Sequence, residues 1–98
     1  MSLETISWKE FVRRNRYERG LIVDLRSRAC YRREHYPGAI SLPFDEWEER
    51  KPEFPRSGLI YLYCERGNSA LMAARELSEE GYRAVAVLGG YPNSCEIQ

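Results

Sequence analysis

The chain has 98 residues, 43% of them hydrophobic and 31% charged, and its fifteen basic residues balance fifteen acidic ones. This composition excludes a disordered chain or a membrane-spanning one, and zero formal charge gives no support for a nucleic-acid or membrane-surface role. The length suits one domain over residues 1–98, and Met1 leads into S-L-E-T-I-S without a signal-like or spanning apolar stretch, so a monomer without membrane contact is expected.

Ser7 followed by Glu10 reads as a capping box, with Ile6 and Phe11 as a hydrophobic staple, opening a helix whose apolar stripe is Trp8, Phe11 and Val12. Gly20 breaks that helix, and "LIVDL", residues 21–25, follows as a short buried strand. Ser27 is the expected N-cap of a helix through Tyr31 and Glu34, which must stop before the Pro37-Gly38 turn. "AISL", residues 39–42, is a second strand, and Asp45 to Arg50 a short charged helix around Trp47.

"KPEFPRSG", residues 51–58, holds two prolines and a glycine and reads as a surface connection. "LIYLYC", residues 59–64, is apolar on both faces, as a central strand of a parallel sheet would be. From Ser69 to Glu80, Ala70, Ala73, Ala74 and Leu77 fall at helical spacing, small enough to let a helix lie close on a sheet, and Gly81 is placed to end it in the left-handed conformation. "AVAVL", residues 84–88, is the last strand, closed by Gly89-Gly90. Strands alternating with helices predict an α/β domain with a largely parallel sheet.

Three cysteines, Cys30, Cys64 and Cys95, are widely spaced without a C-x-x-C pair, and His35 is the single histidine. Neither a metal site nor a cofactor is expected from that set. Free thiols in a reducing cytoplasm are the simplest reading.

Of the three, only Cys64 has a context that points to chemistry. It ends a strand, where open α/β sheets bind ligands, and a helix starts about five residues later. Loop N–H groups and a helix start favour an anion, and hence a thiolate over a thiol. Gly67 lets the loop turn with positive φ, Ser69 caps the helix or donates a hydroxyl bond, and Arg66 adds a cation that Glu65 opposes. Without such a context, Cys30 and Cys95 read as packing residues.

The loop C-E-R-G-N-S between a strand and an Ala-rich helix resembles the active-site loop of rhodanese-like domains. "LIVDLRS", "EHYPGAISLP" and "VLGGY" resemble further segments of that family in the same order. The resemblance implies a three-layer α/β sandwich with a largely parallel sheet of about five strands, "ETIS" being the added edge strand. It also implies sulfur transfer, in which Cys64 takes sulfane sulfur from thiosulfate or a persulfide, small molecule or protein, and passes it to cyanide or a thiol. By position, Cys64 is the nucleophile, and Glu65, Arg66, Gly67, Asn68 and Ser69 form the cradle, with Arg66 attracting an anionic donor. Asp24 and Arg26 support the loops, and His35 fixes the Pro-Gly turn.

The chain departs from the family pattern at Ser69 and Ala70, where arginine is common near the loop's end, and at Glu34 and Tyr36 around the histidine. The usual terminal helix is expected to be short or absent. Three other functions compete: a non-catalytic binding module, a redox sensor pairing Cys64 with Cys30 or Cys95, and a Cys-based phosphatase or arsenate reductase. The last needs C-x-x-x-x-x-R, and Ala70 stands where that arginine belongs.

Overall fold

The computed structural model describes residues 3–51 and 54–95. The chain runs β1 (Glu4–Ile6), α1 (Trp8–Arg14), β2 (Leu21–Asp24), α2 (Arg28–Arg33), β3 (Ile40–Ser41), a 3-10 turn (Phe44–Glu46), α3 (Trp47–Arg50), β4 (Leu59–Tyr63), α4 (Asn68–Glu79) and β5 (Arg83–Val87). The strands form one sheet in the order β1-β5-β4-β2-β3, with every neighbouring pair parallel. Ser7 caps α1 by accepting a bond from the Glu10 N–H at 3.1 Å, and Ser27 caps α2 through the Cys30 N–H. The "ETIS" segment supplies the edge strand β1.

β4 is central and buried throughout, which is why its sequence is apolar at every position rather than at alternate ones. Ile60 and Leu62 face α4, where they meet Ala70, Ala73, Ala74 and Leu77. Leu59, Tyr61 and Tyr63 point the other way, into a cluster with Phe11 of α1. The alanines bring α4 close against the sheet, and Gly81 ends the turn after it with φ +96°.

Three expectations need correction. The segment 51–58 is not wholly a surface connection, because Phe54 is buried and packs edge-on against Trp47 at 5.5 Å between ring centroids. Prolines and glycine mark the turns there, but an aromatic between them still finds the core. Pro52 and Glu53 of that segment lie outside the described residues. The expected strand 39–42 is shorter, pairing at Ile40 and Ser41 alone.

The third correction concerns the thiols. Cys30 and Cys95 are joined in a disulfide with a Cα–Cα distance of 5.9 Å, while Cys64 is free and buried. The all-thiol reading therefore fails, and so does a pairing of Cys64 with either partner. Among the described residues after Gly90 no helix forms, and residues 96–98 lie outside them. No helix among the described residues is long and apolar enough to cross a membrane.

Candidate active site

Cys64 follows the last residue of β4 at the carboxyl edge of the sheet. The chain there turns back over its own thiol. The Cys64 Sγ accepts hydrogen bonds from the Gly67 N–H at 3.0 Å and the Ala70 N–H at 3.3 Å. Both donors belong to the start of α4: Gly67 is its N-cap, with φ +97°, and Ala70 lies in its first turn. The first four N–H groups of a helix have no partner within it, so a sulfur anion placed here receives donors that are otherwise unused.

The helix thus begins one residue before the sequence pattern placed it. Ser69 is a helical residue rather than the cap, and Gly67 caps without a side-chain bond. Glu65 and Ser69 are half-buried, while Arg66 and Asn68 face solvent. The expected cradle omitted Ala70, which supplies one of the two donors to sulfur. Its place at the third helical position was the available signal, hidden by setting the helix start at Ser69. The Ala70 methyl is wholly buried under α4, so the position reserved for arginine in an oxyanion-binding loop points into the core.

A second omission lies in the last segment. The Tyr91 N–H donates to the Cys64 carbonyl at 2.9 Å. A side chain on Gly90, whose φ is +77°, would collide with the Glu65 carbonyl, and one on Gly67 would come within 3.0 Å of the Gly89 nitrogen. The Gly89-Gly90 pair is therefore the floor on which the cysteine loop rests, and glycine is required at Gly90 by close approach as well as by φ.

Asp24 and Arg26 leave β2 beside this loop and are both buried. The Arg26 side chain forks onto the Asp24 carboxylate, with Nη2 to Oδ2 at 2.8 Å and Nε to Oδ1 at 3.1 Å, and the Arg26 N–H adds a bond to Oδ1 at 2.9 Å. Burial, the largest influence on Arg26, opposes its charge, but the bond and charge of Asp24 outweigh it and raise the guanidinium above its ordinary pKa. The negative charge of Glu65 in the loop adds a smaller push in the same direction.

The same guanidinium lies 4.1 Å over the Tyr91 ring and donates from Nη2 to the Glu34 carbonyl at 2.5 Å. Tyr91 also packs edge-on against Trp8 at 5.2 Å. Burial pushes the Tyr91 phenol up, and Glu34 pushes it the same way. His35 stands apart from the thiol: its Nδ1 bonds the Tyr31 carbonyl at 2.7 Å and its ring stacks on Tyr31. No group of three or more metal-ligating side chains occurs among the described residues.

Comparison with known proteins bears on the family and the fold. The family model described as "Rhodanese-like domain" matches residues 7–95. Thiosulfate sulfurtransferase PspE of Escherichia coli is 35% identical over 72 residues, covering 69% of this chain and 67% of that protein. A tRNA sulfurtransferase of Desulfurococcus amylolyticus is 37% identical over 70 residues, or 71% of this chain but 14% of that much longer protein. Among solved structures, reduced Bacillus anthracis CoADR-RHD superposes with a TM-score of 0.79 at 33% identity, over 90% of this chain and 16% of that one.

Proposed function

The chain belongs to the rhodanese-like domain family, and on that premise we propose that it is a sulfurtransferase in which Cys64 carries the transferred sulfur. The observation that carries this reading is the pair of N–H bonds from Gly67 and Ala70 to the Cys64 Sγ.

The Cys64 thiolate attacks the outer sulfur of thiosulfate. A sulfur–sulfur bond forms to Cys64, the donor's own sulfur–sulfur bond breaks, and sulfite leaves with its electron pair. The loop amides then face a persulfide anion in place of a thiolate, donors already aimed at sulfur before the reaction begins. An acceptor thiolate or cyanide attacks the terminal sulfur, the new bond to Cys64 breaks, and the thiolate returns.

Arg66, exposed on the loop, draws an anionic donor towards the site. Asp24 and Arg26 hold the neighbouring backbone and do not touch the reacting atoms. Donor and acceptor are a small molecule or a protein. A persistent Cys30–Cys95 disulfide belongs to an oxidising compartment. In the cytoplasm the same pair would be transient and responsive to the local redox poise.

The test is to treat the protein with thiosulfate or a polysulfide and map the adduct by mass spectrometry. One added sulfur on Cys64 is expected, removed by cyanide or a thiol and missing in Cys64→Ser. Failure to load from any donor would overturn the reading in favour of a binding module.

A further inference from the structure

The disulfide sits at the far end of the segment that holds the cysteine loop. Between Tyr91, bonded to the Cys64 carbonyl, and Cys95, bonded to Cys30, the chain runs without regular structure. Its described ties beyond that backbone bond are the Tyr91 ring on Arg26, Trp8 and Tyr63, an exposed bond from Asn93 Nδ2 to the Glu34 carboxylate at 3.0 Å, and the disulfide itself. Exposed polar bonds hold a segment weakly, so the covalent link is the strong one.

The link also closes the far side of the loop's support. α2 carries Cys30, and the Glu34 carbonyl just beyond that helix accepts from Arg26. The disulfide thus fastens the strap at residues 91–95 to the wall that positions Arg26, and Arg26 in turn stacks on the strap's first residue. We propose that the Cys30–Cys95 disulfide is a reversible clasp, and that its state sets the reactivity of Cys64 through Tyr91, a positioning residue.

The clasp is open to attack. Cys95 is half-exposed, and a shallow cleft lined by Arg26, Arg33, Glu34, Asn93 and Ser94 opens onto the bond. Arg33 is exposed there and would favour an approaching thiolate. A dithiol attacks one sulfur of the pair to give a mixed disulfide, releasing the other cysteine as a thiolate that takes up a proton. The second thiol of the dithiol then attacks the first, breaking the mixed disulfide and releasing the remaining protein cysteine as a thiolate that is protonated in turn. Two electrons and two protons pass to Cys30 and Cys95, and the dithiol leaves as its own disulfide. With the clasp open, the strap is free to lift, the Tyr91 N–H leaves the Cys64 carbonyl, and the Gly67 and Ala70 donors lose their fixed aim at sulfur.

The inference rests on the reading of Cys64 as the reacting thiol, yet it can be tested without a sulfur donor, so the two can fail separately. Iodoacetamide alkylation of Cys64 is followed by peptide mass spectrometry across a pH series. The samples are oxidised wild type, wild type opened with dithiothreitol and then freed of it, Cys30→Ser/Cys95→Ser, Tyr91→Ala and Tyr91→Phe. Opening the clasp is expected to slow alkylation of Cys64 several-fold across the pH series. Tyr91→Ala should do the same with the disulfide intact, while Tyr91→Phe keeps the ring and the wild-type profile.

An unchanged profile on opening would overturn the proposal and leave the disulfide a structural staple. Faster alkylation would overturn it too, because the strap would then shield Cys64 rather than position its donors. If the double variant does not fold, the dithiothreitol-opened wild type carries the comparison. Global unfolding of that sample, read by far-UV circular dichroism, would make the bond a requirement of the fold and likewise sink the idea.

Discussion

Tyr63 and Asp24 are register partners on adjacent parallel strands, and the Tyr63 hydroxyl donates to the Asp24 Oδ2 at 2.8 Å. The same hydroxyl accepts the Tyr36 N–H at 3.1 Å. A buried carboxylate, a buried guanidinium and a buried phenol thus satisfy one another beside the cysteine loop, and the pair of charges has little exchange with water.

Removing one partner of a buried ion pair leaves the other charge uncompensated. Asp24→Asn keeps the shape but not the charge that Arg26 needs, and should lower stability by about 3–5 kcal/mol in urea unfolding. A loss below about 1 kcal/mol would mean that water reaches Arg26 after all.

Tyr63→Phe removes one donor and one acceptor at once and should cost about 1–3 kcal/mol. It also changes the alkaline behaviour. Burial, the largest cause, pushes the folded-state Tyr63 phenol far above its ordinary value of about 10, and Asp24 pushes it the same way, against the bond from Tyr36. Below about pH 10 the phenol is neutral in both states, so its contribution is fully present. Above that the unfolded chain alone releases the proton, and stability falls as pH rises. Urea midpoints between about pH 8 and pH 11 should drop in wild type and drop less steeply in Tyr63→Phe. Parallel slopes would contradict this assignment.

Gly90→Ala tests the floor of the loop. The new methyl would strike the Glu65 carbonyl, so sulfur loading of Cys64 should fall at least ten-fold, on the order of the cost of moving backbone in a packed site. Gly38→Ala is the control: its φ of +88° is equally unfavourable, but nothing lies within 4 Å of the added carbon. That variant should lose about 1 kcal/mol of stability and load normally.

Arg66→Ala removes an exposed cation, so its effect is electrostatic and small. Loading from thiosulfate should slow about two- to five-fold at low salt, with the difference shrinking as ionic strength rises. A defect independent of salt would assign Arg66 a direct contact instead.

Aryl phosphates should give no Cys64-dependent turnover. The residue at the arginine position of a phosphate-binding loop is Ala70, and its methyl is packed beneath α4. Turnover abolished by Cys64→Ser would overturn that.

Much of this protein is encoded within a few neighbouring residues. The helix caps at Ser7 and Ser27, the two-faced apolar run of β4, the alanine stripe of α4 and the left-handed turn at Gly81 all depend on local spacing and local φ, so the sequence determined them alone. The strand–Cys64–Gly67–helix order made the sulfur cradle legible for the same reason, since a loop of fixed length before a helix start must bring its N–H groups back over the thiol. Setting the helix start at Ser69 hid Ala70 but not Gly67, the other donor to the Cys64 sulfur.

What only the tertiary structure decided are contacts between segments far apart in the chain. Cys30 and Cys95 are 65 residues apart, Asp24 and Tyr63 are 39 apart, and Phe54 finds Trp47 across a segment that looked like surface. Tyr91 reaches the Cys64 carbonyl because β5 lies next to β4, a neighbour relation that belongs to the strand order of the whole sheet. Local pattern specifies which residues become strands and helices. Which of those elements become neighbours depends on how all their apolar faces are buried together, and that is settled only when the sheet closes over both cores.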